Sequence, residues 1–444
     1  MNYQEWKKVI EENFPEVVFP AEACMSAVAQ LWFEDIELPC ALVLVGSPAS
    51  YKTTVLSMFS FLEFFREPEI KDLVFYTDNF TPQSFVSHKA DVKKEELEKI
   101  DLLPKIQNKI FIVPELAPIF TKTGDELTEA LGILTRVLDG QGYVKDSGSH
   151  GHRGYRGRFK FVWLAATTPI PHRVWRCMGN LGTKIYFLRI PKIDKSPSEM
   201  AKILLKRNYS KALAECRMAT KYFIQSLLKR TPVKWNSEKD DIELVTKIMT
   251  IAKMLAKLRG AVNVSVSEEY DPISGKVEQV NYTLPNIENP QRAGLMLYNF
   301  VRGYAFIKGR DHIKDEDLKI AIEIALSSAP EDRVRALDVI LKYNGEITAE
   351  ELEKEMGCSR KTALRAINTL EILGIVKRDK KETVGRGRPP YCARLSSDLK
   401  WFLTDEFWKL RGVQRPSTQP VKKSETPSAT EFFSVLQDGE REKE

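Results

Sequence analysis

The apolar run from Ala41 to Val45 passes straight into Gly46, Ser47, Pro48, Ala49, Ser50, Tyr51, Lys52 and Thr53. A buried-strand signature leads in, and a helix-compatible stretch, Thr53 to Phe65, leads out. The spacing is that of a phosphate-binding loop, G-x-x-x-x-G-K-[ST], with Tyr51 standing where the second glycine belongs. Such a loop turns backbone N–H groups toward phosphates at a helix N-terminus, where the helix dipole favours anions. Gly46, Ser50, Tyr51, Lys52, Thr53 and Thr54 would then contact ATP. Lys52 would reach the β- and γ-phosphates, and the Thr53 hydroxyl would hold Mg²⁺. The alternative is a strand, a turn and a helix with a chance Lys-Thr pair, the glycine being absent because nothing binds there.

With 444 residues the chain has room for two or three domains. No apolar stretch approaches a membrane span, and the first residues, Met1 to Trp6, lack a basic-then-apolar leader. The six cysteines are scattered without a C-x-x-C pair, which argues for reduced thiols in a cytoplasmic protein and against a disulfide or zinc framework. The net charge of +6 is unevenly placed. Between Gly357 and Arg394 ten Lys/Arg face three Asp/Glu, and between Gly140 and Lys160 five face one. Two short segments thus hold more than the whole excess, which points to polyanion contact at defined places.

Along the chain, two short helices around Pro15 to Pro20 are expected to pack against the nucleotide core. Strands are expected at 41–45, 73–77, 109–113, 159–165 and 184–190, with helices at 53–65 and 125–138. Apolar strands alternating with helices predict an α/β doubly wound parallel sheet of the P-loop NTPase kind. Residues 197–257 read as helical, 262–284 as a hairpin, and 333–394 as a separate small domain. The resulting division is a nucleotide-binding core at 1–195, a helical lid at 196–330, a DNA-binding unit at 331–411 and a disordered tail at 412–444.

P-loop ATPases need an acid at the end of a neighbouring strand to polarise the attacking water. The strand from Lys109 to Val113 leads through Pro114 to Glu115, which takes that role; Pro114 occupies the place of a second, metal-side acid. Asp78, at the end of the strand before it, is a candidate for the Mg²⁺ shell. The strand from Phe159 to Ala166 ends in Thr167, placed to sense the γ-phosphate, with Thr168 beside it. An ordinary acid and an ordinary threonine at strand ends are the plainer readings.

This order of elements resembles the AAA+ ATPases, and within them the branch that includes the minichromosome-maintenance helicases. The resemblance spans about residues 20–395 and is architectural, with degenerate motifs. It implies that the segment from Gly140 to Arg158 is a pore hairpin gripping DNA through Lys145, Arg153 and Arg156; a flexible surface loop is the alternative. It also implies a trans-acting cation, for which Arg176 and Lys184 are candidates, and a second sensor arginine in the lid, for which Arg292 fits by position. ATP would then sit between subunits of a ring, as in a hexamer.

Thr348 to Glu351 reads as a capping box, and Ser359 as the cap of a helix running to Leu373. On that helix Ala363, Leu364, Ile367, Leu370 and Leu373 follow core spacing. Two strands with the basic Gly385 to Pro390 between them complete a pattern that resembles a winged helix. Arg360, Lys361, Arg365 and Asn368 would face the DNA major groove, and Arg386 and Arg388 its phosphates or minor groove. A protein-docking module is the alternative. The tail holds one apolar island, Ala429 to Leu436, which reads as a partner-docking peptide or a helix packed on the body.

These features read together as a ring-forming, helicase-like ATPase acting on DNA. A non-motor, ATP-controlled DNA switch or loader is the second reading, favoured by Tyr51 and Pro114. A transcription regulator with a degenerate nucleotide fold is the third.

Overall fold

In the computed structural model the apolar runs become β1 (Cys40–Val45), β2 (Val74–Tyr76) and β3 (Ile110–Val113), then a hairpin of β4 (Gly142–Ser147) and β5 (Gly151–Arg156), then β6 (Val162–Thr167) and β7 (Ile185–Arg189). The structure describes residues 1–67, 70, 72–87, 94–147, 151–182, 184–191, 195–205, 208–262, 264–271, 275–282, 284–380 and 391–415. Five strands form one sheet in the order β2-β3-β6-β1-β7, with every pair parallel. β1, β3 and β6 are buried along their whole length. Helices on both faces explain why these strands read as unbroken apolar runs and not as alternating ones.

One face carries the helix Lys52–Ser60, the two N-terminal helices and the lid; the other carries Gly124–Val137 and His172–Leu181. The N-terminal helices do not serve the sheet alone, as the sequence suggested. Helix Tyr3–Asn13 lies on Tyr209–Leu228, where Trp6 stacks on Phe223 at 4.9 Å and donates to Thr220 Oγ1 at 3.1 Å. Helix Val18–Ala29 is buried at nearly every position, so it needs cover on all sides and takes part of it from lid helix Pro290–Ile307.

At that crossing Ser26 Oγ donates to Phe300 O at 2.6 Å. A Cβ on Gly303 would stand 2.3 Å from Ser26 O, a backbone atom that cannot swing aside. Gly303→Ala is therefore expected to destabilise the chain by about 1–3 kcal/mol. A lowered urea midpoint at unchanged slope is the readout.

The segment expected as a lid comprises helices Pro197–Leu205, Tyr209–Leu228, Ile242–Arg259, Pro290–Ile307 and Leu318–Ser327, with the hairpin of β8 (Val264–Asp271) and β9 (Gly275–Tyr282) between the third and fourth. Helix Glu331–Lys342 then opens a C-terminal unit. It adds β10 (Glu346–Thr348), helices Ala349–Met356 and Arg360–Ile372, β11 (Val376–Lys380) and β12 (Tyr391–Leu395), in an antiparallel sheet of order β10-β12-β11. The Thr348 and Glu351 capping box forms, and Ser359 Oγ accepts from Thr362 N at 3.3 Å.

This unit does not stand apart from the lid, because one apolar cluster runs through both. Arg333 donates to the carbonyls of Leu258 and Gly260, both at 2.7 Å, and Lys257 to that of Gly374 at 2.9 Å. All six cysteines are free thiols. Among the described residues no helix is long and apolar enough to cross a membrane.

Candidate functional site

The loop after β1 is closed by its own lysine. Lys52, 7% exposed, donates from Nζ to Gly46 O at 2.7 Å, Ser47 O at 2.8 Å and Ser50 Oγ at 3.3 Å. Burial pulls its pKa below the usual lysine range, and the Glu115 carboxylate works against that pull. A Cβ at Gly46 would lie 2.4 Å from Ser50 Oγ, so Ser50 would have to turn away and give up its bond from Lys52. Tyr51 adopts the left-handed conformation, φ 63° and ψ 10°, that the usual glycine reaches freely. For a tyrosine this costs about 1–2 kcal/mol. Its ring packs against the apolar core. Thr53 is exposed in the first turn of the helix, and Thr54 is buried with its hydroxyl 2.9 Å from Tyr209 Oη.

The sheet register brings the other candidates level with this loop. Val45 pairs with Thr167, and Gly46 N donates to Thr167 O at 3.2 Å. β6, which carries Thr167, lies between the loop strand and β3, whose Val113 pairs with Ala165. Glu115 thus stands about two strand spacings, ~10 Å, from the loop strand. Its Oε1 accepts from Ala117 N at 2.9 Å. Thr167 is 1% exposed, and its hydroxyl has no hydrogen-bond partner among the described residues. The hydroxyl is not one of the enclosed unpartnered atoms, so it opens to solvent at the strand end, where water or a ligand oxygen can bond it. Beside Gly46 and Ser47 a cavity of about 280 Å³ opens, walled by Pro169, Ile170, Trp175 and Arg189.

Asp78 is not brought to this group. β2 is the edge strand, three strands or ~14 Å from β1, and the exposed Asp78 carboxylate accepts from Tyr76 Oη at 2.6 Å. It is therefore no ligand for a cation on Thr53. Among the described residues no cluster of three metal-ligating His, Cys, Asp or Glu side chains occurs. A magnesium ion here would have the Thr53 hydroxyl, phosphate oxygens and water, which suits a hard cation that keeps much of its water.

Lys184 and Arg292 meet each other, at the far end of the sheet. Lys184 precedes Ile185, which pairs with Ala41 at the start of β1, whereas the loop follows the end of that strand. Lys184 donates to Thr135 O at 2.9 Å and to Asp139; Arg292 donates to the same Asp139 oxygen at 2.9 Å and to Leu138 O at 3.2 Å. The Lys184 side chain is only 11% exposed, so it is turned inward and not toward a neighbouring molecule. Arg176, on helix His172–Leu181, is exposed and has no ion pair or hydrogen bond among the described residues.

Asp139 was not singled out in the sequence, and only its position just past the helix C-terminus hinted at it. Burial works to raise its pKa, but hydrogen bonds from Lys184 and Arg292 outweigh that and hold it below the usual carboxylate range. A depressed folded-state pKa means the stabilisation is complete above the unfolded value, ~3.9, and is lost as pH falls through the folded one. Asp139→Asn is expected to be less stable than wild type at pH 7 and to lose less on acidification toward pH 3. Thermal unfolding across that range reads both.

The basic segment holds two antiparallel strands, as the resemblance implied, and residues 148–150 lie outside the described residues. Lys145 pairs directly with Arg153, and Tyr143 with Tyr155. Opposite residues share a face, so the two cations lie on the same side as the two tyrosines. Tyr155 Oη donates to Asp101 at 2.8 Å, which anchors the base of the hairpin. Arg156 is exposed on the other face. Two of the five cations counted here have partners outside the hairpin. Arg158 pairs with Glu37, and Lys160 donates to Phe33 O at 2.7 Å, its pKa pushed down to about 8, chiefly by burial.

On helix Arg360–Ile372, Arg360, Lys361 and Arg365 are exposed. Leu364, expected in the core, is 42% exposed and sits among these cations. Asn368, expected on the open face, is half-buried, and its Oδ1 is enclosed without a partner. Both corrections have one cause: the helix is rotated so that Ala363, Ile367 and Leu370 face the core, and their neighbours follow. Arg386 and Arg388, like the tail island from Ala429 to Leu436, lie outside the described residues.

No family model and no curated protein matches the sequence. Among solved structures the chain is similar to the active helicase Cch of SCCmec type IV at 12% identity and a TM-score of 0.36, covering 93% of this chain and 72% of that one. It is similar to the Aeropyrum pernix ORC1 protein in complex with DNA at 15% identity and a TM-score of 0.27, covering 91% and 94%. A third, the NrS-1 C-terminal region, has 11% identity and a TM-score of 0.27 over 89% and 75%. At such TM-scores none of these proteins lends its activity to this chain.

Proposed function

We propose that this chain binds and hydrolyses ATP with Mg²⁺ and acts on DNA, as a P-loop ATPase of the AAA+ kind. The observation that carries the reading is the alignment of three groups across neighbouring strands: the Lys52 loop, the unpartnered Thr167 hydroxyl, and Glu115. Lys52 would exchange its loop carbonyls for β- and γ-phosphate oxygens, and its charge would oppose theirs. Bound Mg²⁺, held by Thr53 and the phosphates, would neutralise charge that develops on the transferring group. Glu115 would accept a proton from the attacking water, and Thr167 would donate to the γ-phosphate and orient that water.

Residues 1–195 and 196–330 would form the nucleotide core and lid, and 331–411 a winged helix reading DNA through Arg360, Lys361 and Arg365. Lys145, Arg153 and Arg156 would add a second contact. A ring places a cation of one subunit at the next one's nucleotide; the exposed Arg176 suits this better than the inward Lys184. The division of the chain, the ring and the motor action are tested by ATPase rate and molecular mass, each measured with and without duplex DNA. DNA-stimulated turnover in an oligomer supports the motor. ATP binding without turnover supports the switch, which Pro114 and the strained Tyr51 favour.

A further inference from the structure

We infer that Phe14, Tyr51 and Tyr209 form an aromatic wall that stacks the base of a purine nucleotide, so that the loop selects nucleoside triphosphates over bare polyphosphate. This rests on the nucleotide reading above and adds to it what recognises the base.

Three observations converge on the wall. Tyr51 holds a left-handed backbone at the position directly before Lys52, where glycine would fit without strain. Tyr51 carries a ring there all the same. It touches Phe14, with centroids 6.3 Å apart and planes at 57°. Phe14 in turn meets Tyr209 edge-on, at 5.6 Å and 72°. Phe14 is buried and fixes the other two, but Tyr51 is half-buried and Tyr209 is 48% exposed. Aromatic area therefore stays open beside the loop.

Tyr209 is also tied to the phosphate end of the site. Its hydroxyl and that of Thr54 lie 2.9 Å apart, so the ring is held over the helix turn that follows Lys52 and Thr53. On the proposed reading, a nucleotide with its phosphates on Lys52 and Thr53 would turn its base toward this wall. Tyrosine faces stack on bases with little regard to hydrogen-bond pattern, and the larger π-face of a purine gains more than a pyrimidine. The ion pair of Lys195 with Glu16 lies next to Tyr51, leaving the rings as the apolar part of this corner.

The test compares ATP, CTP and inorganic tripolyphosphate, each with Mg²⁺, by calorimetry on the full chain. Wild type, Tyr51→Gly and Tyr209→Leu are measured. Tyr51→Gly places the residue best suited to that backbone, so loss of fold does not confound it; Tyr209→Leu keeps packing against Phe14. Wild type is expected to bind ATP at least about tenfold more tightly than tripolyphosphate, with CTP between. Tyr209→Leu, outside the loop, is expected to lose about tenfold for ATP and nothing for tripolyphosphate; for Tyr51→Gly, inside the loop, the ratio of the two affinities is expected to fall about tenfold. If the variants keep the wild-type ratio of ATP to tripolyphosphate affinity, the wall is packing only and the inference is overturned, while the phosphate loop stands. If wild type binds neither ligand, the nucleotide reading fails and takes this inference with it.

Discussion

Lys52→Ala is expected to lower ATP turnover by about 10²- to 10³-fold, the loss seen when one preorganised charged or polar donor is removed from a transition state. The ammonium has two tasks here. It bridges Gly46 O, Ser47 O and Ser50 Oγ, so it sets the curvature of the loop, and on the proposed reading it would supply positive charge where phosphate charge builds up. Alanine removes both. Lys52→Arg is not a conservative control, because a planar guanidinium cannot fit between two carbonyls that a compact ammonium spans. Glu115→Gln separates binding from chemistry: it is expected to retain ATP affinity and lose turnover by a similar factor, since the amide accepts no proton from water. Equal turnover in wild type and Lys52→Ala, with both variants folded by thermal melt, would falsify the active-site assignment.

The second large effect concerns DNA. Replacing Arg360, Lys361 and Arg365 together by glutamate is expected to weaken duplex binding by about 10²- to 10³-fold at low salt. The same change should reduce the slope of log affinity against log salt by about 3, near 0.9 for each phosphate that is no longer neutralised. All three are exposed on the helix surface, so reversing them disturbs no core packing. Leu364 lies among them, 42% exposed, and an apolar residue in a basic patch suits a thymine methyl or a protein partner. An unaltered salt slope in the triple variant would mean that this helix does not meet the polyanion, leaving it to Lys145, Arg153, Arg156, Arg386 and Arg388.

What could be read in the sequence was what is local in the chain. The loop from Gly46 to Thr53, the strands leading to Glu115 and Thr167, and the capping box at Thr348 each depend on residues within a few positions; the strands end within two residues of their expected ends, though the one to Thr167 starts at Val162 and not at Phe159. What could not be read depends on strand order and helix rotation. Asp78 looked adjacent to Glu115 and is adjacent, but that places it at the sheet edge and out of reach of Thr53. Lys184 and Arg292 were assigned by position, and their shared hold on Asp139 spans segments more than a hundred residues apart. The packing of the N-terminal helices on the lid leaves no local signal at all. Leu364 and Asn368 exchanged expected surroundings because periodicity gives the width of a helix face and not its rotational phase.

The join between lid and C-terminal unit has a mechanical consequence. Along helix Ile242–Arg259, Lys247 holds Glu406, Lys253 and Lys257 hold Asp398, and Arg333 clasps the carbonyls of Leu258 and Gly260 at its end. An 18-residue helix is about 27 Å long, and it is riveted over most of that length. Such a joint has no slack. A rotation of helix Ile242–Arg259 about the sheet would carry helix Arg360–Ile372 with it as the tip of a crank, so a small angle beside the sheet would become a larger travel at the far end.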